Sequence, residues 1–363
     1  VRATDVAGNM SSVSTADGIT IDLTAPAGTT VSDGADDDIT YSGSDSTLTA
    51  NWATFMETVS GIQKYEYAVG TTYGGMELLT WANNDTATSV TKAGLNLTNG
   101  YTYYVSVRAT DNAGNVANVV TSDGVIVDTA APTAGNVMDS TAADLDWTRS
   151  TSSLTSTWTG FSDALSGIQK YEYAIGDTSG GTNVLYWTDN STITSITKTG
   201  LTLTNGTTYY ISVRATDNVG NVSTVSTTDG ITVDTDAPVL ETPFEGSLTA
   251  DRDYQNSATT LIVSWSGSDT ASGIAMYEYA INFFFSGIPL SLVPWTSAET
   301  ATADTATGLS LVEGTTYFLS VRATDVAGNI SSVISADGIT IDLTDPIAGS
   351  AIDGNNTDIS YTG

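Results

Sequence analysis

The 363-residue sequence contains neither cysteine nor histidine. Disulfide bonds, thiol nucleophiles, imidazole bases and zinc sites built from Cys or His are therefore excluded. Basic residues are also scarce, with 10 Lys and Arg against 41 Asp and Glu and a net charge of −31. Because phosphate and anionic lipid surfaces are bound by clustered Lys and Arg, we expect no nucleic-acid partner and no docking on a membrane surface. An acidic chain of this kind is expected to stay soluble and to attract cations.

Long apolar runs are missing as well. The best candidate, Phe283 to Trp295, is shorter than the roughly 20 residues that span a bilayer, and serine, glycine and proline interrupt it. We therefore predict no membrane-spanning segment. Apolar residues make up 40% of the chain, so that a domain of about 100 residues can be stable on its core alone. The lack of cysteine thus does not assign the chain to the cytosol.

A nine-residue motif recurs along the chain, and repeats of this length define the architecture. VRATDVAGN at Val1 returns as VRATDNAGN at Val107, VRATDNVGN at Val213 and VRATDVAGN at Val321, at intervals of 106, 106 and 108 residues. Each copy is followed by an Asp-Gly strand and a proline. The pattern predicts three complete repeats, residues 27–132, 133–238 and 239–346, with the C-terminal end of a preceding repeat at 1–26 and the start of a following one at 347–363. We interpret the chain as a window from a longer array.

Each repeat is predicted to be β throughout. Runs such as IQKYEYAVG and YTYYVSVRAT alternate apolar and polar residues at period two and are rich in Thr, Val, Ile and Tyr. Clusters of Gly, Asn, Asp and Ser separate them, as turns require. About seven short strands in 106 residues predict an all-β fold of tandem, seven-stranded, Ig-like β-sandwiches.

A family resemblance lies in the LTNGYTY segment that starts at Leu97, with LTNGTTY at Leu203 and LVEGTTY at Leu311. These segments resemble the L-x-P-G-x-x-Y signature of fibronectin type III domains, although Asn or Glu replaces its proline. The TDxAGN and VDxTAP segments also resemble tandem fibronectin-like and bacterial Ig-like arrays of large bacterial or archaeal surface proteins. The resemblance implies a fibronectin type III-like sandwich in which one Tyr closes a corner onto nearby backbone and a second-strand Trp fills the core. These structural residues are Tyr103, Tyr209 and Tyr317, with Trp52, Trp158 and Trp265.

Acidic and amide side chains recur on three segments that a fibronectin-type sandwich brings to one end. The entering linker carries Asp22, Asp128 and Asp234, the B–C loop carries Glu57, Asp163 and Asp269, and the F–G loop carries Asp111 with Asn115, Asp217 with Asn221 and Asp325 with Asn329. Ca²⁺ takes six to eight such oxygen ligands, so we predict Ca²⁺ sites at the junctions between repeats. The alternative is that these residues only cap tight turns, by bonding their own backbone. Glu57 in place of Asp predicts that the first of these sites is the weakest.

Two groups of aromatic residues remain open to two interpretations. Trp81, Trp187 and Trp295 follow the C strand, where they either close the sheet edge or stack on sugar rings. Phe283, Phe284 and Phe285 cannot all face one core, because neighbouring residues alternate across a strand. An exposed apolar patch marks an interface, so we predict a lateral contact site there, against a locally repacked hairpin.

A catalytic role is not predicted, because the acidic residues recur in every repeat and a glycosidase needs two carboxylates in one cleft. Short, proline-containing linkers favour a stiff rod. The leading interpretation is a structural or adhesive segment of an extracellular or cell-surface protein, such as an adhesin stalk or a filament subunit. Its partners would be neighbouring repeats, like chains in a filament, or surface glycans. The alternatives are a spacer or carbohydrate-binding array of a secreted polysaccharide-degrading enzyme, and a sheath or surface-layer component.

Overall fold

The structure is a computed structural model that describes residues 1–349. Most of the expected following repeat, residues 350–363, lies outside this range. The described residues form strands, turns and loops without a helix, and thus hold no helical segment that could cross a membrane. The predicted all-β fold class is confirmed.

Repeat 1 begins after the tail at residues 1–26 and forms two sheets. Its strands are β1 (Val31–Asp33), β2 (Tyr41–Ser42), β3 (Thr47–Trp52), β4 (Ile62–Gly70), β5 (Leu79–Asn83), β6 (Ser89–Ala93), β7 (Thr102–Asp111), β8 (Val120–Thr121) and β9 (Val125–Val127). One sheet has the order β1-β3-β6, and the other has the order β2-β9-β7-β4-β5 with β8 paired to β7.

Repeat 2 has the same topology. Its strands are β10 (Asn136–Met138), β11 (Trp147–Thr148), β12 (Ser153–Thr159), β13 (Ile168–Gly176), β14 (Leu185–Asp189), β15 (Ser195–Thr199), β16 (Thr208–Asp217), β17 (Ser226–Thr227) and β18 (Ile231–Val233). The sheet orders are β10-β12-β15 and β11-β18-β16-β13-β14, with β17 on β16.

Repeat 3 keeps this core and adds a short pair at its start. Its strands are β19 (Val239–Leu240), β20 (Phe244–Glu245), β21 (Tyr254–Gln255), β22 (Thr260–Ser264), β23 (Gly267–Ser268), β24 (Ile274–Phe285), β25 (Ile288–Glu299), β26 (Ala303–Thr307), β27 (Thr316–Asp325), β28 (Ile334–Ser335) and β29 (Ile339–Ile341). The main sheets are β20-β22-β26 and β21-β29-β27-β24-β25, with β28 on β27, and β19 pairs with β23.

The seven predicted strands are present, with the first and the last each divided in two. β1 runs antiparallel to β3 in one sheet, whereas β2 runs parallel to β9 in the other. The first strand therefore changes sheets at the acidic loop of residues 34–40. This crossing positions the loop against the last strand of the same repeat.

Each repeat has its own hydrophobic core. The three second-strand tryptophans are buried, with 1–4% of their surface exposed. Trp158 packs edge-on against Tyr171, which also contacts Phe161. Burial of aromatic rings of this size dominates core energetics, and truncating one of them to Ala costs about 3–5 kcal/mol. No buried cluster in the described residues extends over two repeats.

The tyrosine corners form as the resemblance implies. The hydroxyls of Tyr103 and Tyr209 accept hydrogen bonds of 2.9 Å from the backbone N–H groups of Thr98 and Thr204. Tyr317 accepts the equivalent bond from Val312 at 3.1 Å. Each bond spans five residues and ties the start of the F strand to the turn before it.

Candidate metal centres at the repeat junctions

The F–G turn of each repeat is organised by one aspartate. In repeat 2, Oδ1 of Asp217 accepts backbone N–H bonds from Val219, Gly220 and Asn221 at 3.0, 2.7 and 2.9 Å. Its Oδ2 accepts the side-chain amide of Asn221 at 2.8 Å. Asp111 and Asp325 make the corresponding backbone bonds to Asn115 and Asn329. The TDxAGN motif is therefore an aspartate-capped turn.

The linker aspartate is bound by the repeat that follows it. Asp128 is fully buried, and its Oδ2 accepts the backbone N–H of Ser166 from the B–C loop of repeat 2 at 3.1 Å. Its backbone carbonyl accepts the Asn221 side-chain amide at 3.1 Å. Asp234 repeats both contacts with Ser272 and Asn329, at 3.1 and 2.8 Å. The next repeat thus binds both the side-chain carboxylate and the backbone carbonyl of the linker aspartate.

Turn capping does not keep the carboxylates apart. The structure brings the linker, B–C and F–G acids together in three groups, and within each group one oxygen from every residue lies within 4.8 Å of the others. The groups are Asp22 with Glu57 and Asp111, Asp128 with Asp163 and Asp217, and Asp234 with Asp269 and Asp325. These are the junction acids that the sequence predicts as Ca²⁺ ligands.

The spacing within each group suits a hard cation. Ca²⁺ binds oxygen at 2.3–2.6 Å, so that ligands on opposite sides of one ion lie about 5 Å apart. Two carboxylates this close repel by about 1–4 kcal/mol, depending on the local dielectric. None of the ion pairs among residues 1–349 involves a junction acid. A cation is therefore the chemical group that would relieve the repulsion.

The three amides of the candidate set also form hydrogen bonds across the junctions. Asn115, Asn221 and Asn329 each donate their side-chain N–H to the carbonyl of a linker aspartate and to the capping aspartate. The geometry makes them bridges between repeats. In its own loop, Glu57 accepts the backbone N–H groups of Val59 and Ser60. Its longer side chain still places a carboxylate oxygen within the first group, beside Asp22 and Asp111.

A further junction contact was not predicted from the sequence. Nη1 of Arg149, at the start of repeat 2, donates a hydrogen bond of 2.9 Å to the backbone carbonyl of Gly328 in the F–G turn of repeat 3. At the same position of repeat 1, Gly43 lies close to Val219 of repeat 2. The repeat pattern gives no sign of the Arg149 contact, because repeat 1 has Gly43 where repeat 2 has Arg149.

The three tryptophans after the C strand lie outside the core, on the outer face of the larger sheet. The guanidinium groups of Arg108, Arg214 and Arg322 stack over Trp81, Trp187 and Trp295 at 4.3, 4.4 and 4.5 Å from the ring centroids. Each arginine also pairs with a glutamate on the C strand, such as Glu66 with Arg108 at 3.1 Å. Cation–π contacts of this kind contribute about 0.5–2 kcal/mol and occupy one face of each indole.

The three phenylalanines of repeat 3 divide between core and surface. Phe283 packs on the core and lies 5.5 Å from Tyr317, ring centre to ring centre. Phe284 and Phe285 are 56% and 67% exposed. They stand at the end of the β24–β25 hairpin, whose strands have 12 residues each, against nine and five in β4 and β5. Whether this hairpin contacts another chain stays a prediction.

Another acidic position, inside each repeat, was not predicted from the sequence. Asp33, Asp139 and Glu245 occur at intervals of 106 residues and are buried, with at most 2% of their surface exposed. Burial raises the pKa of Asp33 to about 6 and the pKa values of Asp139 and Glu245 to about 7, against the hydrogen bonds that lower them. The recurrence of an acid at one place in every repeat was the available signal.

The sequence matches no family model. It is similar to Exoglucanase B of Cellulomonas fimi, with 30% identity over 266 residues that make up 70% of this chain and 21% of that protein. It is also similar to Chitinase A1 of Niallia circulans, with 31% identity over 152 residues, or 40% of this chain and 19% of that protein. The chain thus spans about a fifth of the length of these relatives.

Solved structures with weak overall similarity include a tetra-tandem repeat in the extending region of a large adhesion protein. It has 19% identity and a TM-score of 0.31, over 94% of this chain and 80% of that one. The FN1–FN3 domains of chicken CNTN1 have 17% identity and a TM-score of 0.30, over 87% and 98%. The strand order, the buried tryptophans and the hydrogen-bonded corners of this chain carry the assignment themselves. The chain is a tandem array of fibronectin type III-like β-sandwich repeats.

Proposed function

We propose that this chain is a stiff, non-catalytic rod segment of a longer extracellular protein, with Ca²⁺ bound at the junctions between its repeats. One observation carries the proposal: each linker aspartate is held through its carbonyl by the following repeat, and Asp128 and Asp234 are held through a carboxylate oxygen as well. A linker bound in this way does not allow the two repeats to rotate freely relative to each other.

The stiffness has an energetic basis. Each hydrogen bond across a junction contributes about 0.5–1.5 kcal/mol, which restricts bending without abolishing it. A Ca²⁺ ion shared by the linker, B–C and F–G carboxylates would tie three segments to one centre. With Kd on the order of 10⁻⁴–10⁻³ M, as in extracellular modules, millimolar Ca²⁺ adds about 1–2 kcal/mol at each junction. The extracellular location belongs to the proposal, because extracellular modules are the class that binds Ca²⁺ with this affinity.

Small-angle X-ray scattering and calorimetry of the chain in 2 mM CaCl₂ and in EGTA test the junction sites. We expect a longer maximum dimension and a higher melting temperature in Ca²⁺. The Asp163→Asn variant should lose part of both effects, because Asn keeps the oxygen that accepts the backbone N–H groups of Leu165 and Gly167 but removes the charge. Asp177→Asn, at an exposed position outside the junction group, is the matched control. Scattering curves and melts that superimpose in CaCl₂ and EGTA would refute Ca²⁺ stiffening.

A second candidate function is favoured by the names of the relatives. Exoglucanase B and Chitinase A1 are polysaccharide-degrading enzymes by name, and the matched segment is about a fifth of each. The same rod would then act as a spacer, or as a sugar-binding array, within a secreted enzyme of that class. Sedimentation of the chain with insoluble cellulose and chitin tests sugar binding. Binding that is lost in the Trp81→Ala/Trp187→Ala/Trp295→Ala variant would support a sugar-binding array. A chain that stays in the supernatant would refute sugar binding and leave the spacer as the role within such an enzyme.

A further inference from the structure

The turn before the F strand, the E–F turn, carries a polar side chain where the fibronectin type III signature has proline. These residues are Asn99, Asn205 and Glu313, and each directly precedes the glycine of the turn. Proline offers no hydrogen-bonding group in its side chain, so each replacement adds an oxygen acceptor to the surface of the turn. The turn lies at the end of the sandwich from which the chain leaves the repeat.

This oxygen binds the linker that leaves the same repeat. In repeat 1, Oδ1 of Asn99 accepts the backbone N–H of Thr129 at 2.7 Å. In repeat 2, Oδ1 of Asn205 accepts the backbone N–H of Thr235 at 2.9 Å. Each bonded N–H belongs to the residue that directly follows the linker aspartate. The E–F turn therefore holds the linker at one defined peptide group.

Repeat 3 makes the same contact with a different residue type. Oε2 of Glu313 accepts the backbone N–H of Leu343 at 2.6 Å, and its Oε1 accepts the hydroxyl of Thr344 at 3.2 Å. Hydrogen bonds to a carboxylate are shorter and roughly twice as strong as those to a neutral acceptor. The contact is thus kept although the side chain changes from an amide to an acid, and what the three repeats share is the acceptor oxygen.

The bond completes the hold of repeat 1 on its exit linker. The N–H of Asp128 donates to the carbonyl of Ser42 at 2.8 Å, and the next N–H, that of Thr129, donates to Asn99. Because each peptide group is planar, fixing the groups on both sides of Asp128 restricts the φ and ψ angles of this residue. Repeat 2 holds the following linker aspartate in the same way, with the carbonyl of Thr148 as the first acceptor.

One peptide group is shared by two repeats at each junction. The carbonyl of Asp128 and the N–H of Thr129 belong to the same peptide group, which is rigid. Its N–H donates to Asn99 of repeat 1, and its carbonyl accepts the side-chain amide of Asn221 of repeat 2 at 3.1 Å. The second junction repeats this arrangement. The holds of the two repeats therefore overlap, and no freely rotating residue lies between them.

We infer that Asn99, Asn205 and Glu313 are positioning residues that clamp the exit linkers and so set the orientation of the next repeat. Each holds the linker aspartate in the conformation in which the next repeat binds it, so that less conformational freedom is lost when two repeats dock. The clamp consists of protein atoms alone and acts without Ca²⁺. The inference rests on the proposed rod function but not on its metal sites.

Distances between two spin labels, measured by pulsed electron paramagnetic resonance in EGTA, test the clamp. The chain has no cysteine, so Ser89→Cys in repeat 1 and Ser195→Cys in repeat 2, both exposed on strands, provide unique labelling sites. The labelled parent should give a narrow distance distribution, and Asn99→Ala should broaden it. Asn99→Asp should keep it narrow, because a carboxylate supplies the same acceptor oxygen, as Glu313 does in repeat 3. Asn84→Ala is the matched control, since that side chain bonds only within its own loop.

Amide hydrogen exchange of the full chain locates the bond. Asn99→Ala should accelerate the exchange of the Thr129 amide about 2- to 12-fold, as expected for the loss of one hydrogen bond. The amide of Thr235, which is bonded to Asn205, should keep its rate and serves as the internal control. Urea unfolding should be unchanged in the variant, because the clamp lies outside the cores of the repeats.

The outcomes separate the clamp from the Ca²⁺ sites. A distribution that stays as narrow in Asn99→Ala as in the labelled parent overturns the clamp, even if CaCl₂ stiffens the chain. Broadening by Asn99→Ala in EGTA supports the clamp, and if CaCl₂ then changes no distribution, the clamp stands while the metal sites fail. A parent that gives a broad distribution in both EGTA and CaCl₂ overturns the rod function and the clamp together.

Discussion

The side-chain amide of Asn221 donates a 3.1 Å hydrogen bond to the backbone carbonyl of Asp128, and so joins the F–G turn of repeat 2 to the linker that enters it. The same bond links Asn115 to Asp22 and Asn329 to Asp234, at 3.2 and 2.8 Å. The repeated motif therefore forms a turn and also binds the preceding linker. Its asparagine donates a hydrogen bond to that linker, whereas its aspartate stabilises the turn on which the asparagine lies.

Substitution of Asn221 by Ala should loosen one junction. We expect a loss of about 1–2 kcal/mol in coupling between repeats 1 and 2, because bonds to Asp128 and Ala130 disappear together. Small-angle scattering should show more bending at unchanged secondary structure. Asn190→Ala is the control, since that side chain bonds only within its own loop. Equal bending in both variants would contradict a junction role for Asn221.

Removal of the hydroxyl of Tyr209 should destabilise repeat 2. The Tyr209→Phe variant keeps the ring in the core but leaves the Thr204 N–H without its acceptor. We expect a loss of about 1–3 kcal/mol in the free energy of unfolding, measured by urea denaturation. Tyr186→Phe in the same repeat should have no effect, because that ring is 73% exposed. Equal stability of the two variants would argue against a structural corner.

Without Ca²⁺, the buried aspartates should make the chain less stable at neutral than at acidic pH. Burial raises the folded-state pKa values of Asp33 and Asp139 to about 6 and 7, above the ordinary 3.8, with smaller contributions from the facing acids. The folded state therefore holds these protons more tightly, and stability falls as pH rises from about 4 to about 7. Between pH 5 and pH 8, each group accounts for about 1–3 kcal/mol of the free energy of unfolding.

Urea unfolding in EGTA at pH 5 and pH 8 measures this difference. The Asp33→Asn/Asp139→Asn variant should be more stable than the wild type at pH 8 and should lose a large part of the pH dependence, with the remainder coming from Glu245. Asp177→Asn should keep the wild-type dependence, because it removes a charge at an exposed site. An unchanged pH dependence in the double variant would assign the effect to the overall negative charge instead.

The end of the long hairpin in repeat 3 should promote self-association. Phe284 and Phe285 expose apolar surface beyond the core, and such patches mark interfaces. Analytical ultracentrifugation should show weak, concentration-dependent association that is lost in Phe284→Ser/Phe285→Ser. Val312→Ser is the control, since Val312 is 60% exposed elsewhere in the same repeat. A wild type that stays monomeric at high concentration would refute the lateral contact.

Much of the fold follows from local sequence patterns. The alternation in β7 predicts buried Tyr103 and Val105, and the structure buries both. The loop chemistry of TDxAGN predicts an aspartate-capped turn, because Asp accepts N–H bonds from the residues that directly follow it. The division of the first strand was not predicted. It depends on β2 pairing with β9, about 85 residues later, and two-residue strands have too little pattern to be recognised.

The candidate site was only partly accessible from sequence. Family topology was sufficient to bring Asp128, Asp163 and Asp217 to one end of the sandwich. It did not show that Asn221 would use its amide N–H toward the linker, because that depends on how two repeats pack. The tryptophans gave no sequence sign of their arginine partners, since Trp187 on β14 and Arg214 on β16 meet only in the folded sheet, across β13.

The sequence by itself determined the repeat length, the all-β character, the core tryptophans, the corner tyrosines and the segments that carry acid. The repeat length follows from the recurrence of one motif, whereas the other properties are encoded by neighbours one to five residues apart, whose alternation and turn preferences persist in any environment. Only the tertiary structure decided which oxygens face one another. Asp33 meets Asp123 because β1, the loop after it and the last strand pack at one edge, and burial at that edge raises the pKa of the Asp33 carboxyl.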